Sequence, residues 1–113
     1  TGNIFEGARI KLTALKLWNF FPYPEIGGFG EDASERIYLG DIALWKINKK
    51  TGLKFNKNNV YVFGDTEYDI AVANHIGAKS VALCSGGMSC EELTKFNPDF
   101  LVKDFSELQE ITF

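Results

Sequence analysis

An α/β fold on a short parallel sheet is what the sequence predicts, and three observations predict it. Three brief apolar runs, Val60–Phe63 (VYVF), Ser80–Cys84 (SVALC) and Asp99–Val102 (DFLV), have the length and content of strands. Two stretches of helical character, Asp65–Ile76 and Ser89–Phe96, fall between them. Strand, helix, strand, helix, strand is the order of a parallel sheet with crossover helices. The 113 residues are enough for one compact domain with a core and too few for two, and no repeat, low-complexity tract or composition break marks a boundary.

Upstream of the sheet, Ile4 to about Trp18 places Phe5, Ala8, Leu12 and Leu15 on one helical face, with Asn3 and Glu6 where an N-cap and its N3 partner would stand. Asn19–Pro24 (NFFPYP) breaks this helix with its two prolines. Ile26–Gly30 (IGGFG) reads as a short strand or a glycine-rich loop. A second helix runs from Ala33 or Ser34 to about Lys50, with Leu39, Ile42, Ala43 and Ile47 inward and Gly52 as its stop. Val60–Phe63 is apolar throughout, which suits a strand buried on both faces. The helix Asp65–Ile76 turns Ile70, Ala73 and Ile76 to one side and ends at Gly77. Ser80–Cys84 is a second buried strand, and Ser85–Met88 is a glycine loop, a simple turn or a phosphate contact. Ser89 and Glu92 form a capping box for a short helix that Pro98 stops. Beyond the strand Asp99–Val102, Phe105–Gln109 makes a turn of helix.

Hydrophobic residues make up 45% of the chain, and ten Phe, four Tyr and two Trp give it a globular rather than a disordered composition. The net charge of -3 comes without a basic face, so no nucleic-acid partner is expected. Lys46–Lys57 (KINKKTGLKFNK) reads as a helix end and a solvated loop. No apolar run approaches the ~20 residues of a bilayer span, and neither a signal peptide nor a membrane partner is expected. Cys84 and Cys90 lack zinc-ligand spacing. Two such cysteines predict buried thiols in a reduced, cytoplasmic protein, with a disulfide between them as the alternative. The single histidine, His75, belongs to a helix surface, and Trp18 and Trp45 to packing or to an edge that a missing part would cover.

The chemistry concentrates at Gly64–Asp69 (GDTEYD), where two aspartates stand at the exit of an apolar strand. One reading is structural: Thr66 and Asp69 form T-x-x-D, a capping box, and Asp65 sits by the positive end of the helix. The other is a divalent-cation site, since ligands of open parallel sheets bind beyond the carboxyl ends of the strands. Mg2+ accepts hard oxygen ligands, few of them carboxylates, and fills its octahedron with water and phosphate oxygens. Two acids alone make a weak site, so a third oxygen donor is expected from a neighbouring strand.

GDTEYD resembles the fourth motif, GDxxxD, of the haloacid dehalogenase-like (HAD) hydrolases. Ile70–Gly86 (IAVANHIGAKSVALCSG) is similar to the segment after that motif in phosphoglycolate-phosphatase-like members, and Asn97–Leu108 (NPDFLVKDFSEL) is similar to their ending. Thr1-Gly2-Asn3 resembles the second motif, and Gly27–Gly30 (GGFG) also has counterparts there. The resemblance covers essentially the whole chain. It implies a three-layer Rossmann-like parallel sheet and phosphoester hydrolysis through an aspartyl-phosphate with Mg2+ as cofactor. By the same resemblance Thr1 donates to the phosphoryl group, the backbone of Gly2 and Asn3 adds donors, and Asp65 and Asp69 hold Mg2+. Arg36 is the candidate for the third-motif cation, ahead of Lys46 and Lys49.

The sequence departs from the family pattern at the first motif. DxDx[T/V], which carries the nucleophile and the general acid/base, is absent from the 113 residues. Gly30–Ser34 (GEDAS) has adjacent acids and no strand leading into it. The expectation is therefore the C-terminal portion of a HAD-like core domain over residues 1–113, lacking nucleophile strand and cap, and inactive alone. The partner of the parent enzyme would be a small phosphorylated substrate. With no nucleophile strand beside it, the Val60–Phe63 edge is expected to drive self-association. A non-catalytic interaction or dimerisation module is the alternative, and a phosphate- or nucleotide-binding module using the glycine loops is a third.

Overall fold

A computed structural model describes residues 1–56 and 58–111, which form two compact units, Thr1–Phe55 and Asn56–Phe113. Lys57, the last residue of the basic stretch, and the terminal Thr112 and Phe113 lie outside the described residues. The division falls where composition gives no sign of it.

In the first unit, helix α1 spans Phe5–Ala14. It is shorter than its periodicity suggests, because Lys16 takes φ 58° and reverses the chain. The Lys16 N–H then donates to Thr13 O and the Leu17 N–H to Leu12 O, closing a Schellman turn ahead of the prolines. The expected cap is also corrected. Ile4 is the N-cap residue and carries no side-chain bond. The carboxylate of Glu31 accepts the Phe5 N–H at 2.9 and 3.0 Å, while Glu6 pairs with Arg9. Trp18–Phe20 is a 3-10 turn, and Trp18 meets Phe5 edge-on. Ile26–Gly30 is a loop, with Phe29 buried against Phe5 and Leu39 buried at the start of helix α2. That helix spans Leu39–Thr51, comes after a 3-10 turn Arg36–Tyr38, and ends at Gly52 with φ 70°. A left-handed residue there is the reason for glycine.

Lys46 is no part of a solvated face. Its Nζ donates to Gly27 O at 3.0 Å and to both oxygens of Asp32 at 2.9 Å, with both side chains largely shielded. The Lys46 hydrogen bond, and then the Phe29 N–H, hold the Asp32 carboxyl below its ordinary range. A carboxyl depressed in the folded state adds stability above its unfolded pKa and loses it as pH falls through the folded value. The Thr1–Phe55 unit should therefore weaken as pH drops below about 4, and Lys46→Met should flatten that dependence. The partial exposure of the pair keeps the effect to about 1 kcal/mol or less. Tryptophan fluorescence against pH checks it, and equal acid profiles for both proteins would refute it.

The second unit holds the sheet. Strands β1 (Tyr61–Gly64), β2 (Lys79–Leu83) and β3 (Phe100–Val102) run parallel in the order β1-β2-β3. Tyr61 is in register with Lys79, and Val81 with Phe100. Helix α3 (Glu67–Ile76) crosses from β1 to β2, and α4 (Cys90–Thr94) from β2 to β3. The architecture is α/β, an open and incomplete Rossmann-like sheet, as the alternation of elements predicts. Of the three strands described, β2 alone is buried on both faces. Ile70, Ala82 and Leu93 pack together on one side. Val81, Leu83 and Val102 pack on the other, under Leu108 of the 3-10 turn Phe105–Glu110. β1 departs from the expected doubly buried strand: it lies at the sheet edge, with Tyr61 and Val62 half-buried and Phe63 42% exposed. Periodicity cannot distinguish an apolar edge from an apolar centre.

Candidate functional site

Asp65 and Asp69 flank the carboxyl end of β1, one on the loop and one in the first turn of α3. The strand-to-helix turn is set by Thr66, whose extended backbone makes it the N-cap, and Asp69 is its N3 partner. The Asp69 Oδ2 accepts the Thr66 N–H at 3.2 Å and the Thr66 hydroxyl at 2.8 Å. The structural reading of T-x-x-D is thus realised. The carboxylate is also pressed onto the strand end: a Cβ at Gly64 would lie 2.1 Å from Asp69 Cγ. Gly64 is needed here because a carboxylate occupies the space of its side chain.

Asp65 is held from a different direction. The Gly87 N–H donates to Asp65 Oδ2 at 2.6 Å, and the Met88 N–H donates to the Asp65 carbonyl at 3.2 Å. A Cβ on Gly86 would fall 2.0 Å from the same Oδ2. The loop after β2 therefore closes over Asp65 with three consecutive residues. The segment is a turn, and its hold on Asp65 escapes sequence reading. The one signal for it is the glycine pair at the carboxyl end of the neighbouring strand.

The loop is fastened by a disulfide between Cys84 and Cys90, whose Cα atoms are 4.9 Å apart. This corrects the expectation of two thiols. Cys84 ends β2 and Cys90 opens α4, and the intervening turn is tight enough to bring them together.

Both carboxylates accept through Oδ2 in these contacts. Hard, anionic oxygens in this number suit Mg2+, which takes one or two carboxylates and completes its shell with water and phosphate. Among the described residues, no group of three or more His, Cys, Asp or Glu side chains is placed to hold a metal ion. The donor chemistry fits Mg2+; the third protein donor expected from a neighbouring strand is not found among the described acids.

In the other unit, Thr1, Gly2, Asn3 and Arg36 come together. The Thr1 nitrogen donates to Gly28 O at 2.9 Å and the Gly30 N–H to Asn3 O at 2.8 Å, so the segment lies along the glycine loop. A Cβ on Gly30 would be 2.4 Å from Gly2 O, which is the reason for glycine at that close approach. Arg36 Nη1 stands 4.0 Å from where a Cβ on Gly2 would be. The Thr1 hydroxyl oxygen accepts from Asn3 N at 3.2 Å and Nδ2 at 3.0 Å, and Lys11 Nζ donates to Asn3 Oδ1 at 2.8 Å. A hydroxyl, a guanidinium and an ammonium group within one exposed stretch are the chemistry of anion binding. Lys11 had no sequence signal, lying eight residues from its partner on a helix surface. His75 is exposed on α3, and no helix among the described residues is long and apolar enough to cross a membrane.

No curated protein matches the chain. A family model described as HAD-hydrolase-like matches residues 35–108, well over half of the sequence, including Arg36, the whole sheet and both aspartates. The chain belongs to the HAD-hydrolase-like family.

Proposed function

We propose that residues 1–113 form the C-terminal portion of the core of a phosphoglycolate-phosphatase-like, Mg2+-dependent phosphohydrolase acting on a small phosphate monoester through an aspartyl-phosphate. The observation that carries this reading is the seating of two carboxylates at the exit of β1, Asp69 over Gly64 and Asp65 under Gly86 and Gly87. Asp65 and Asp69 would hold Mg2+, which supplies positive charge against the phosphate when bound. Thr1 would donate its hydroxyl proton to the phosphoryl group, with backbone donors from Gly2 and Asn3, and Arg36 would neutralise its charge. The nucleophile is not among these residues, because the sequence contains no DxDx[T/V]. The 113-residue chain alone is therefore inactive. The setting is proposed as cytoplasmic.

Calorimetric titration with MgCl2 tests the reading. Weak millimolar binding is expected for the unaltered chain and none for Asp65→Asn. Equal heats from both proteins would leave the aspartates with a helix-capping role alone. Enzyme-like hydrolysis of p-nitrophenyl phosphate by the chain alone would refute its inactivity.

One observation favours a second reading, a non-catalytic module that self-associates. β1 is an edge strand with Phe63 half-exposed, and such an edge pairs with other chains. Light scattering at micromolar concentration decides it: a dimer supports strand pairing, and a monodisperse monomer excludes it.

A further inference from the structure

We infer that Cys84 and Cys90 form a reversible thiol-oxidation site that clamps Asp65, so that the redox state of the pair sets how firmly that carboxylate is presented. The inference rests on the proposed role of Asp65 as a cation ligand.

The disulfide closes a loop, Ser85–Ser89, whose middle supplies the Gly87 and Met88 bonds to Asp65. Its two ends have anchors of their own. The Cys84 N–H donates to Val102 O at 2.9 Å, and Ser89 and Glu92 form a capping box at the start of α4. Cys84 and Met88 rest on the cluster of Ile70, Ala82 and Leu93. Cleaving the S–S bond therefore leaves sheet and helix in place and frees the segment between them. That segment contains Gly86 and Gly87, whose backbone freedom is the largest of any residue. Both sulfur-bearing residues are half-buried and the loop is exposed, so a small reductant can reach the bond.

The chemistry balances with a dithiol. One of its thiolates attacks a sulfur of the disulfide, the second resolves the mixed disulfide, and two electrons and two protons pass to Cys84 and Cys90. The dithiol leaves as its own disulfide. In the oxidised state the Gly87 N–H holds Oδ2 of the carboxylate. Groups that orient a metal ligand in this way typically change metal affinity about 10–100-fold when removed. In the cytoplasmic setting proposed above, a disulfide would be transient and redox-sensing.

Amide NMR of the whole chain, oxidised and then reduced with dithiothreitol, tests the clamp. On reduction the Gly87 and Met88 amide protons should move upfield as their bonds to Asp65 loosen, with β1, β2, β3 and α3 unshifted. Cys84→Ser/Cys90→Ser should reproduce the reduced spectrum without reductant. Unchanged Gly87 and Met88 signals would overturn the clamp, and so would collapse of the whole spectrum, since the effect would then be global. MgCl2 titration of both forms separates the underlying reading. About tenfold weaker binding after reduction supports coupling to the site, and equal binding to both forms overturns it. Binding to neither form removes the cation role of Asp65, and with it the functional part of the inference, while the Gly87 shift still decides whether the clamp exists.

Discussion

Gly64→Ala is expected to destabilise the Asn56–Phe113 unit by about 1–3 kcal/mol, the usual cost of overpacking, and to unseat Asp69. The added methyl would lie 2.1 Å from Asp69 Cγ and 2.2 Å from its Cβ. A clash with the carboxylate oxygen alone could be relieved by rotating χ2. A clash with Cβ cannot, because that atom moves only with the backbone of α3. The helix must then shift on β1 and β2, where Ile70, Ala73 and Ile76 are buried. That shift carries Asp69 away from its seat, strains the capping box, worth about 1 kcal/mol, and moves an oxygen proposed to face Mg2+. Gly87→Ala is the control, since its Cβ would meet nothing closer than 3.4 Å. Urea denaturation monitored by circular dichroism measures the difference. A Gly64→Ala midpoint equal to that of Gly87→Ala would show that the first turn of α3 yields without cost.

How far this site was legible in the sequence depends on which forces are local. Capping boxes are local, and both Thr66–Asp69 and Ser89–Glu92 stood in the sequence as T-x-x-D and S-x-x-E. The order of β1, α3, β2, α4 and β3 comes from hydrophobic pattern and stop residues, and Gly52 and Gly77 end their helices with φ 70° and 67° as glycine stops should. What the pattern could not supply were contacts between residues distant in the chain. Gly87 reaches Asp65 across 22 residues, and Glu31 caps α1 across 26. Lys46 joins Asp32 across 14 residues, from a stretch read only as a helix end and a solvated loop. The early end of α1 escaped for another reason: Lys16 in a left-handed conformation goes against residue preference and is sustained by its two Schellman bonds. Pairing Cys84 with Cys90 required knowing that the loop between them turns back sharply.

Leu93→Ala should cost about 2–5 kcal/mol, the range for emptying a buried leucine site. Leu93 is fully buried, at 0% exposure, and is the apolar anchor of a helix only five residues long. A helix of that length has no stability of its own in water, so α4 depends on this side chain and its capping box. Total stability for a domain is about 5–15 kcal/mol, which makes the loss a large share. Its effect should also travel to the candidate site. Leu93 shares a cluster with Ile70 and Ala82, on which Cys84 and Met88 rest, and Met88 is the next residue after the one that holds Asp65. A cavity there lets Met88 drop inward and draws Gly87 away from Oδ2. Leu93→Met keeps the volume and should cost less than about 1.5 kcal/mol, leaving the Gly87 amide where it was. Urea midpoints and the Gly87 amide shift test the two halves separately. A Leu93→Ala loss below about 1 kcal/mol would mean that α4 is not held by its core contact. A large loss with an unmoved Gly87 would mean that the loop stands on the disulfide and the Asp65 bonds alone.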